Sequence, residues 1–211
     1  MKGMAVVLGF DTSAAQCAAA LLSEGGLLAA VEEAMPTGQA ERLLPLLEEI
    51  LAGQGLGWGD LTALGVGVGP GNFTGVRIAV AAARGLALGL GIPAVGVSTL
   101  EARGFGLSGP VAVVEDARRG QVYLGQAGRA PRMLPLEALG CLGPVPLVGS
   151  AAEAVAVVTG GPVRAPAMPL AEAIARSAAL RAGTVQPRPA PLYLRAPDAA
   201  PPSEAPPALL S

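Results

Sequence analysis

Polar and apolar positions along this chain spell out a β-rich opening, a pair of helices and a second, smaller unit. Ala5 to Phe10 is a short apolar run ending in Asp11, Thr12 and Ser13, residue types that favour turns by bonding their own backbone. A second apolar run covers Gln16 to Leu22, Gly25-Gly26 marks a turn, and Leu27 to Val31 predicts a third strand; together they predict an antiparallel meander. Gln39 to Leu51 has helical spacing, with Leu43, Leu47, Ile50 and Leu51 on one face and Leu44 beside it. Pro45 is expected to kink that helix or mark its first turn. Core packing is the first reading of the stripe, and a partner helix is the second.

Leu61 to Val68 predicts a strand, and Thr74 to Leu90 predicts an alanine-rich helix whose small side chains admit close approach by another helix. Gly89 and Gly91 are expected to stop it, Pro93 to prevent its return, and Ala94 to Val97 to form the next strand. Strand, helix and strand make a right-handed βαβ unit. Beyond Leu100, Pro110 to Glu115 and Gln121 to Gln126 predict a hairpin, Val145 to Gly149 a short strand, and Ala151 to Val158 a short helix or helix–strand junction. Pro169 to Ala182 predicts a helix, with Leu170, Ile174, Ala178 and Arg181 along it. From Gln186 onward proline dominates and helices cannot persist. The pattern divides the chain into a first unit at 1–102, a second at 103–195, and an extended or disordered proline-rich tail at 196–211.

Composition narrows the function classes. Of 211 residues, 52% are hydrophobic and only 3% aromatic, so the core is built mostly from Ala, Val and Leu. A formal charge of −2 and the lack of an arginine block argue against tight independent binding of nucleic acid. Mean hydropathy of +0.53 invites a membrane reading, but Glu24, Arg77 and Arg84 cut the apolar runs before a span of roughly 20 residues completes. Met1 to Met4 lacks the basic start and apolar stretch of a signal peptide. Cys17 and Cys141 form no metal or redox motif, and a reduced cytoplasmic setting is expected. With no histidine there is no Ser-His-Asp triad, imidazole base or histidine-bound zinc, so no catalytic residue and no metal ligand is assigned. The pairs Glu32-Glu33 and Glu48-Glu49 read as solvated faces, leaving Glu115-Asp116 as the acidic pair with candidate chemistry.

The densest motif is Gly65-Val-Gly-Val-Gly-Pro-Gly-Asn-Phe-Thr-Gly-Val-Arg77. Two readings stand: N–H groups and a helix N-terminus presented to an anion, or a tight βα turn that needs glycine only for its geometry. It is not a Walker loop, because Lys2 is the only lysine, and it is not a dinucleotide fingerprint, because Thr74 stands where glycine or alanine is wanted. Thr74 is expected to cap the following helix. Arg77, in the first turn, is either faced by a carboxylate or phosphate or is solvated.

Several segments resemble the TsaB family, also called YeaZ: Met4 to Ser13, Gly69-Pro-Gly-Asn-Phe-Thr-Gly-Val-Arg-Ile78, Gly85-Leu-Ala-Leu, Gly96-Val-Ser-Thr-Leu100, Asp116-Ala-Arg-Arg-Gly-Gln-Val-Tyr123 and Pro191-Leu-Tyr-Leu-Arg195. The resemblance runs in order over nearly the whole chain. It implies an α/β, two-subdomain actin/sugar-kinase-like fold with mixed sheets flanked by helices. It also implies a non-catalytic partner of the paralogue TsaD in making threonylcarbamoyladenosine beside the tRNA anticodon. The ATPase TsaE joins them, TsaC-type enzymes supply threonylcarbamoyl-AMP, and tRNA is met only through the complex. The implied partner interface uses Leu43, Leu47, Arg77, Ile78, Ala79 and Ala83. Asp11, Thr12, Gly69, Gly71, Asn72 and Thr74 are implied loop or nucleotide contacts. No intrinsic cofactor is implied, with ATP or ADP at the junction with TsaD as the open case. Gln39 departs from the histidine often found there, which suits a scaffold, and Asn72 replaces the commoner serine. An exposed apolar helix pair further predicts a homodimer when TsaD is absent.

The alternative is an ATP-dependent small-molecule kinase or acyltransferase of the same superfamily, with Asp11 and Asp116 holding magnesium through hard oxygen ligands. A protease reading has no nucleophile–base pair to support it.

Overall fold

The computed structural model describes residues 5–24 and 26–195; Met1 to Met4 and the predicted tail at 196–211 lie outside the described residues. The opening meander forms as expected: β1 (Val6–Asp11), β2 (Gln16–Ser23) and β3 (Gly26–Ala34) pair antiparallel. Helix α1 (Gln39–Ala52) follows, with Pro45 inside it, and then β4 (Ala63–Gly67), α2 (Phe73–Leu90) and β5 (Ala94–Val97). Strand β4 lies parallel to β1 and to β5, giving a five-stranded sheet ordered β3-β2-β1-β4-β5.

Period-two alternation explains why this sheet is covered on both faces. Val6, Leu8 and Phe10 of β1, with Cys17, Ala19 and Leu21 of β2, face the side occupied by α1 and α2. Val7, Ala18, Ala20 and Leu22 face the opposite side, where α5 (Leu170–Arg181) lies. Helix α5 sits close to the strands because Gly9 and Gly65 lack side chains. A Cβ on Gly9 would stand 2.6 Å from the Ala175 amide nitrogen, and one on Gly65 would stand 2.9 Å from the Ala178 methyl. The segment 103–195 was expected to form the second unit, yet α5, within that span, packs on the first sheet.

The second lobe is a four-stranded sheet ordered β8-β7-β6-β9, built from β6 (Ala112–Asp116), β7 (Gln121–Gln126), β8 (Arg132–Pro135) and β9 (Leu147–Val148). The β6–β7 hairpin matches its sequence pattern, whereas β8, four residues with an arginine and a proline, does not announce itself. One face is covered by α4 (Ala152–Thr159) and a 3-10 segment at Leu136–Leu142. The other face, Val113, Tyr123 and Val148, packs against Leu100 of α3 (Thr99–Gly104), a short helix joining the lobes.

After α5 the proline-rich chain is extended but engaged. Pro189 accepts from Arg84 Nε at 2.7 Å, Leu192 N donates to the Val68 carbonyl at 2.8 Å, and Arg195 Nη2 donates to the Ala117 carbonyl at 2.6 Å. Residues 186–195 therefore form a strap running from the first lobe to the second. By length and composition α2 could cross a membrane, at a mean hydropathy of 1.4. In the fold its Val76, Ala79, Val80 and Ala83 face is buried against the first sheet.

Candidate functional site: the glycine loop and the turn beneath it

The turn after β1 and the loop after β4 meet at the same end of the sheet. Asp11, Thr12 and Ser13 are all buried. Asp11 Oδ1 accepts from the Ser13 amide at 2.9 Å and from the Ser13 hydroxyl at 2.8 Å. Its Oδ2 is buried without a hydrogen-bond partner and lies where a Gly67 side chain would otherwise stand. Burial, only partly offset by the Ser13 bonds and the charge of Arg103, pushes the Asp11 carboxyl above its ordinary value. The Thr12 hydroxyl donates to the Gly75 carbonyl at 2.6 Å.

The glycine loop folds down onto this turn. A Cβ on Gly75 would run into the Thr12 carbonyl, and one on Gly71 would stand 2.5 Å from the Ser13 carbonyl. The Asn72 amide donates to the Ser13 carbonyl at 2.6 Å. Asn72, not Thr74, is the N-cap of α2: its Oδ1 accepts from the Thr74 and Gly75 amides, both at 3.0 Å. The expectation for Thr74 missed by two residues because asparagine caps at least as well as threonine, and Phe73 already has helical geometry. With the Asn72, Thr74 and Gly75 amides engaged, and Val76 N bonded to the Asn72 carbonyl at 2.9 Å, these donors are not presented to a phosphate. For this loop, close packing of turn on turn accounts for Gly71 and Gly75. Gly69, at φ +83°, needs glycine for its backbone as well.

Arg77 meets no anion among the described residues. Its guanidinium lies 3.5 Å over the Phe73 ring, and its Nε donates to the Tyr193 hydroxyl at 2.8 Å. The two rings are 5.2 Å apart. The expected carboxylate or phosphate is thus replaced by a cation–π contact and a phenol delivered by the strap.

The helix faces need a correction. Leu43, Leu47, Ala79 and Ala83, expected at a partner interface, are buried in this chain's own core. Alanine lies on every side of α2, so its sequence points to no one face. The surfaces left open carry Leu44 on α1 and Arg77, Gly85 and Leu88 on α2, with Ile78 half-buried; Leu88 is 78% exposed.

In the second lobe, Glu115 near the end of β6 is buried, accepts from the Ser150 hydroxyl at 2.5 Å and pairs with Arg103 of α3 at 3.3 Å. Asp116 is exposed and its Oδ1 accepts from the Arg118 amide at 2.8 Å, shaping the hairpin turn. Gln39 donates its side-chain amide to the Met35 carbonyl at 3.0 Å. Among the described residues no cluster of three or more His, Cys, Asp and Glu is placed to hold a metal ion.

Comparisons with known proteins fit this geometry. The family described as "TsaD: tRNA N6-adenosine threonylcarbamoyltransferase" matches residues 34–135. A solved structure of YeaZ from Pseudomonas aeruginosa is 29% identical, with 90% of this chain and 100% of that chain covered at a TM-score of 0.72. A second structure, an uncharacterized protein with similarity to peptidase YEAZ from the same organism, gives 29% identity, 91% and 100% coverage, and 0.73. Component A of (R)-2-hydroxyglutaryl-CoA dehydratase from Acidaminococcus fermentans, at 12% identity with 85% and 100% coverage and a TM-score of 0.53, shares the fold alone. No curated protein matches the sequence. The chain resembles YeaZ in sequence and in fold, and that fold is the two-lobed actin/sugar-kinase-like arrangement of mixed sheets flanked by helices.

Proposed function

We propose that this protein is the non-catalytic partner of a TsaD-type threonylcarbamoyltransferase in making threonylcarbamoyladenosine on tRNA. The observation that carries the reading is the likeness to YeaZ over 90% of the chain, together with a match to the TsaD family within the same residues. A protein that resembles both is suited to pair with a TsaD-type paralogue through corresponding surfaces. The loop geometry supports a scaffold role: the donors at Asn72, Thr74, Gly75 and Val76 are engaged within the chain, and Asp116 caps its own turn. Pairing belongs to the outward faces of α1 and α2, around Leu44, Gly85 and Leu88. The same faces pair two copies of this chain when the paralogue is absent. The TsaE-type ATPase, and nucleotide at the junction, enter with the assembled complex, in the cytoplasm.

Size-exclusion chromatography with light scattering, mixing this protein with a TsaD-type protein, tests the reading. A heteromeric peak is expected. Gly85→Arg or Leu88→Arg should abolish it without loss of fold, since a side chain at Gly85 meets open space and Leu88 is exposed. Purified TsaD-type protein that transfers threonylcarbamoyl equally well without this chain would overturn the proposal.

One observation favours the enzyme alternative, an ATP-dependent kinase or acyltransferase: the orphaned Oδ2 of Asp11 at the end of β1. Magnesium-dependent ATP turnover by this chain alone, lost in Asp11→Ala, would establish that reading instead.

A further inference from the structure

We infer that the groove between the C-terminal half of α2 and the start of the strap is a docking site for this chain's own residues 203–211, which lie outside the described residues. The groove encloses about 260 Å³, and its lining includes Arg84, Leu88, Ile92, Pro93, Pro187 and Arg188.

The lining is apolar with a cation on each wall. Arg84 donates its Nε to the Pro189 carbonyl at 2.7 Å, and this bond ties the strap to α2 and forms the groove. Among the described residues neither Arg84 nor Arg188 has a carboxylate partner. The two stretches that supply the walls, 61–100 and 173–195, contain no Asp or Glu at all. Leu88 stands 78% exposed beside these cations. Uncompensated positive charge around open apolar surface fits an occupant that carries both a carboxylate and aliphatic side chains.

Residues 196–211 have that chemistry. They contain Asp198 and Glu204, the only acidic residues after Glu172, and no lysine or arginine. Leu209 and Leu210 follow Glu204 across Pro206 and Pro207. Glu204 is therefore assigned to Arg188 and Arg84, and the two leucines to the apolar floor. The reach suffices. From Pro189 to Arg195 is six residues, at most about 20 Å, whereas the nine residues 196–204 can span up to about 30 Å. Proline already fixes φ, which lowers the entropy lost on docking. Tethering supplies an effective concentration on the order of millimolar, so a contact too weak to hold separate molecules together persists within one chain. A segment seated on Leu88 also competes with a partner for the outward face of α2. That consequence alone rests on the proposed function.

The test uses the full chain with Cys141→Ser and Ser211→Cys, the new thiol carrying a nitroxide; Cys17 is buried and stays unlabelled. Paramagnetic broadening of amide resonances is the readout. Ala87, Leu88, Ile92 and Arg188 should broaden well beyond Gly143 in the second lobe. Salt at 1 M, where the Debye length falls to about 3 Å, should weaken the effect. Arg188→Glu, at an exposed position with no partner among the described residues, should remove most of it, and Glu204→Arg in that background should bring it back. Broadening spread evenly over both lobes, or unchanged by Arg188→Glu, would overturn the inference. So would equal broadening of an isotope-labelled chain by a separate spin-labelled one, which would give the groove to a second copy. Pairing with a TsaD-type protein is read separately by chromatography, where Glu204→Arg should strengthen it. Absent broadening with pairing intact sinks only the docking, and absent pairing with broadening intact sinks only the proposed function.

Discussion

From the end of β4 into the first turn of α2 the chain places glycine where a Cβ has no room; between β6 and β7 it places arginine where glycine would fit more easily. At the first site Gly67, Gly71 and Gly75 lie against Asp11, Ser13 and Thr12, so side chains are excluded by packing. At the second, Arg118 and Arg119 occupy left-handed backbone at an exposed hairpin tip, and an added Cβ at neighbouring Gly120 would meet nothing. A glycine-dense motif draws attention in a sequence, yet here it records two turns pressed together. The arginine pair is less conspicuous, and there the backbone takes left-handed geometry at an exposed turn. Tight packing and left-handed turns both leave marks in a sequence, and here the more conspicuous mark belongs to the packed site.

The comparison can be broken most forcefully at Gly75. Gly75→Ala drives a methyl into the Thr12 carbonyl and should cost about 3 kcal/mol or more, read as a fall in the denaturation midpoint. A tolerated alanine would mean that the loop does not rest on the Asp11–Ser13 turn.

Asp11→Asn should act in the opposite direction. It keeps an oxygen for the Ser13 bonds and removes the buried titratable carboxyl, but leaves an amide nitrogen without an acceptor where Oδ2 stands, so the net gain at pH 7 should stay below about 1 kcal/mol. Because burial raises the Asp11 carboxyl above its ordinary 3.8, the native state holds the proton more tightly than the unfolded one. Wild-type stability therefore falls as pH rises through that window, and the gap between wild type and variant should close as pH drops toward 3.8. A gap that does not change with pH would show that the Asp11 carboxyl is not held above its ordinary range.

Asn72→Ala removes the acceptor for two amides and should destabilise by about 1 kcal/mol, measured by thermal melting. Arg118→Gly relieves one strained residue and should stabilise by up to about 1 kcal/mol. A destabilised glycine variant would mean that the arginine side chain supports the turn, and the contrast between the two sites would fail.

Much of the first sheet was legible because β1 and β2 are short unbroken apolar runs set off by turn residues, and because Gly91, at φ +68°, closes α2 where a stop was expected. Four features were not. Helix α3 has only six residues, though the Ser98 cap, whose hydroxyl accepts from Glu101 N at 3.0 Å, carried a detectable signal. Strand β8 has too few apolar positions to alternate. The inward face of α2 was hidden because alanine can lie on either side. The partners of Arg77 and Leu192 are joined by tertiary contacts alone: 116 residues separate Arg77 from Tyr193. Local pattern finds elements; which lobe α5 joins, and which carbonyl the strap meets, depends on the assembled surface.

The placement of α5 also sets an order for the newborn chain. Strands β1 to β5 leave the ribosome with α1 and α2 ready to cover one face, but most of the cover for Val7, Ala18, Ala20 and Leu22 comes from α5. Between Val97 and Leu170 lie roughly 70 residues, so at about 5–20 residues per second that face waits roughly 4–15 s for its helix. The half-covered sheet is the species a chaperone would meet, and truncation before Leu170 should yield aggregates in place of a free first lobe.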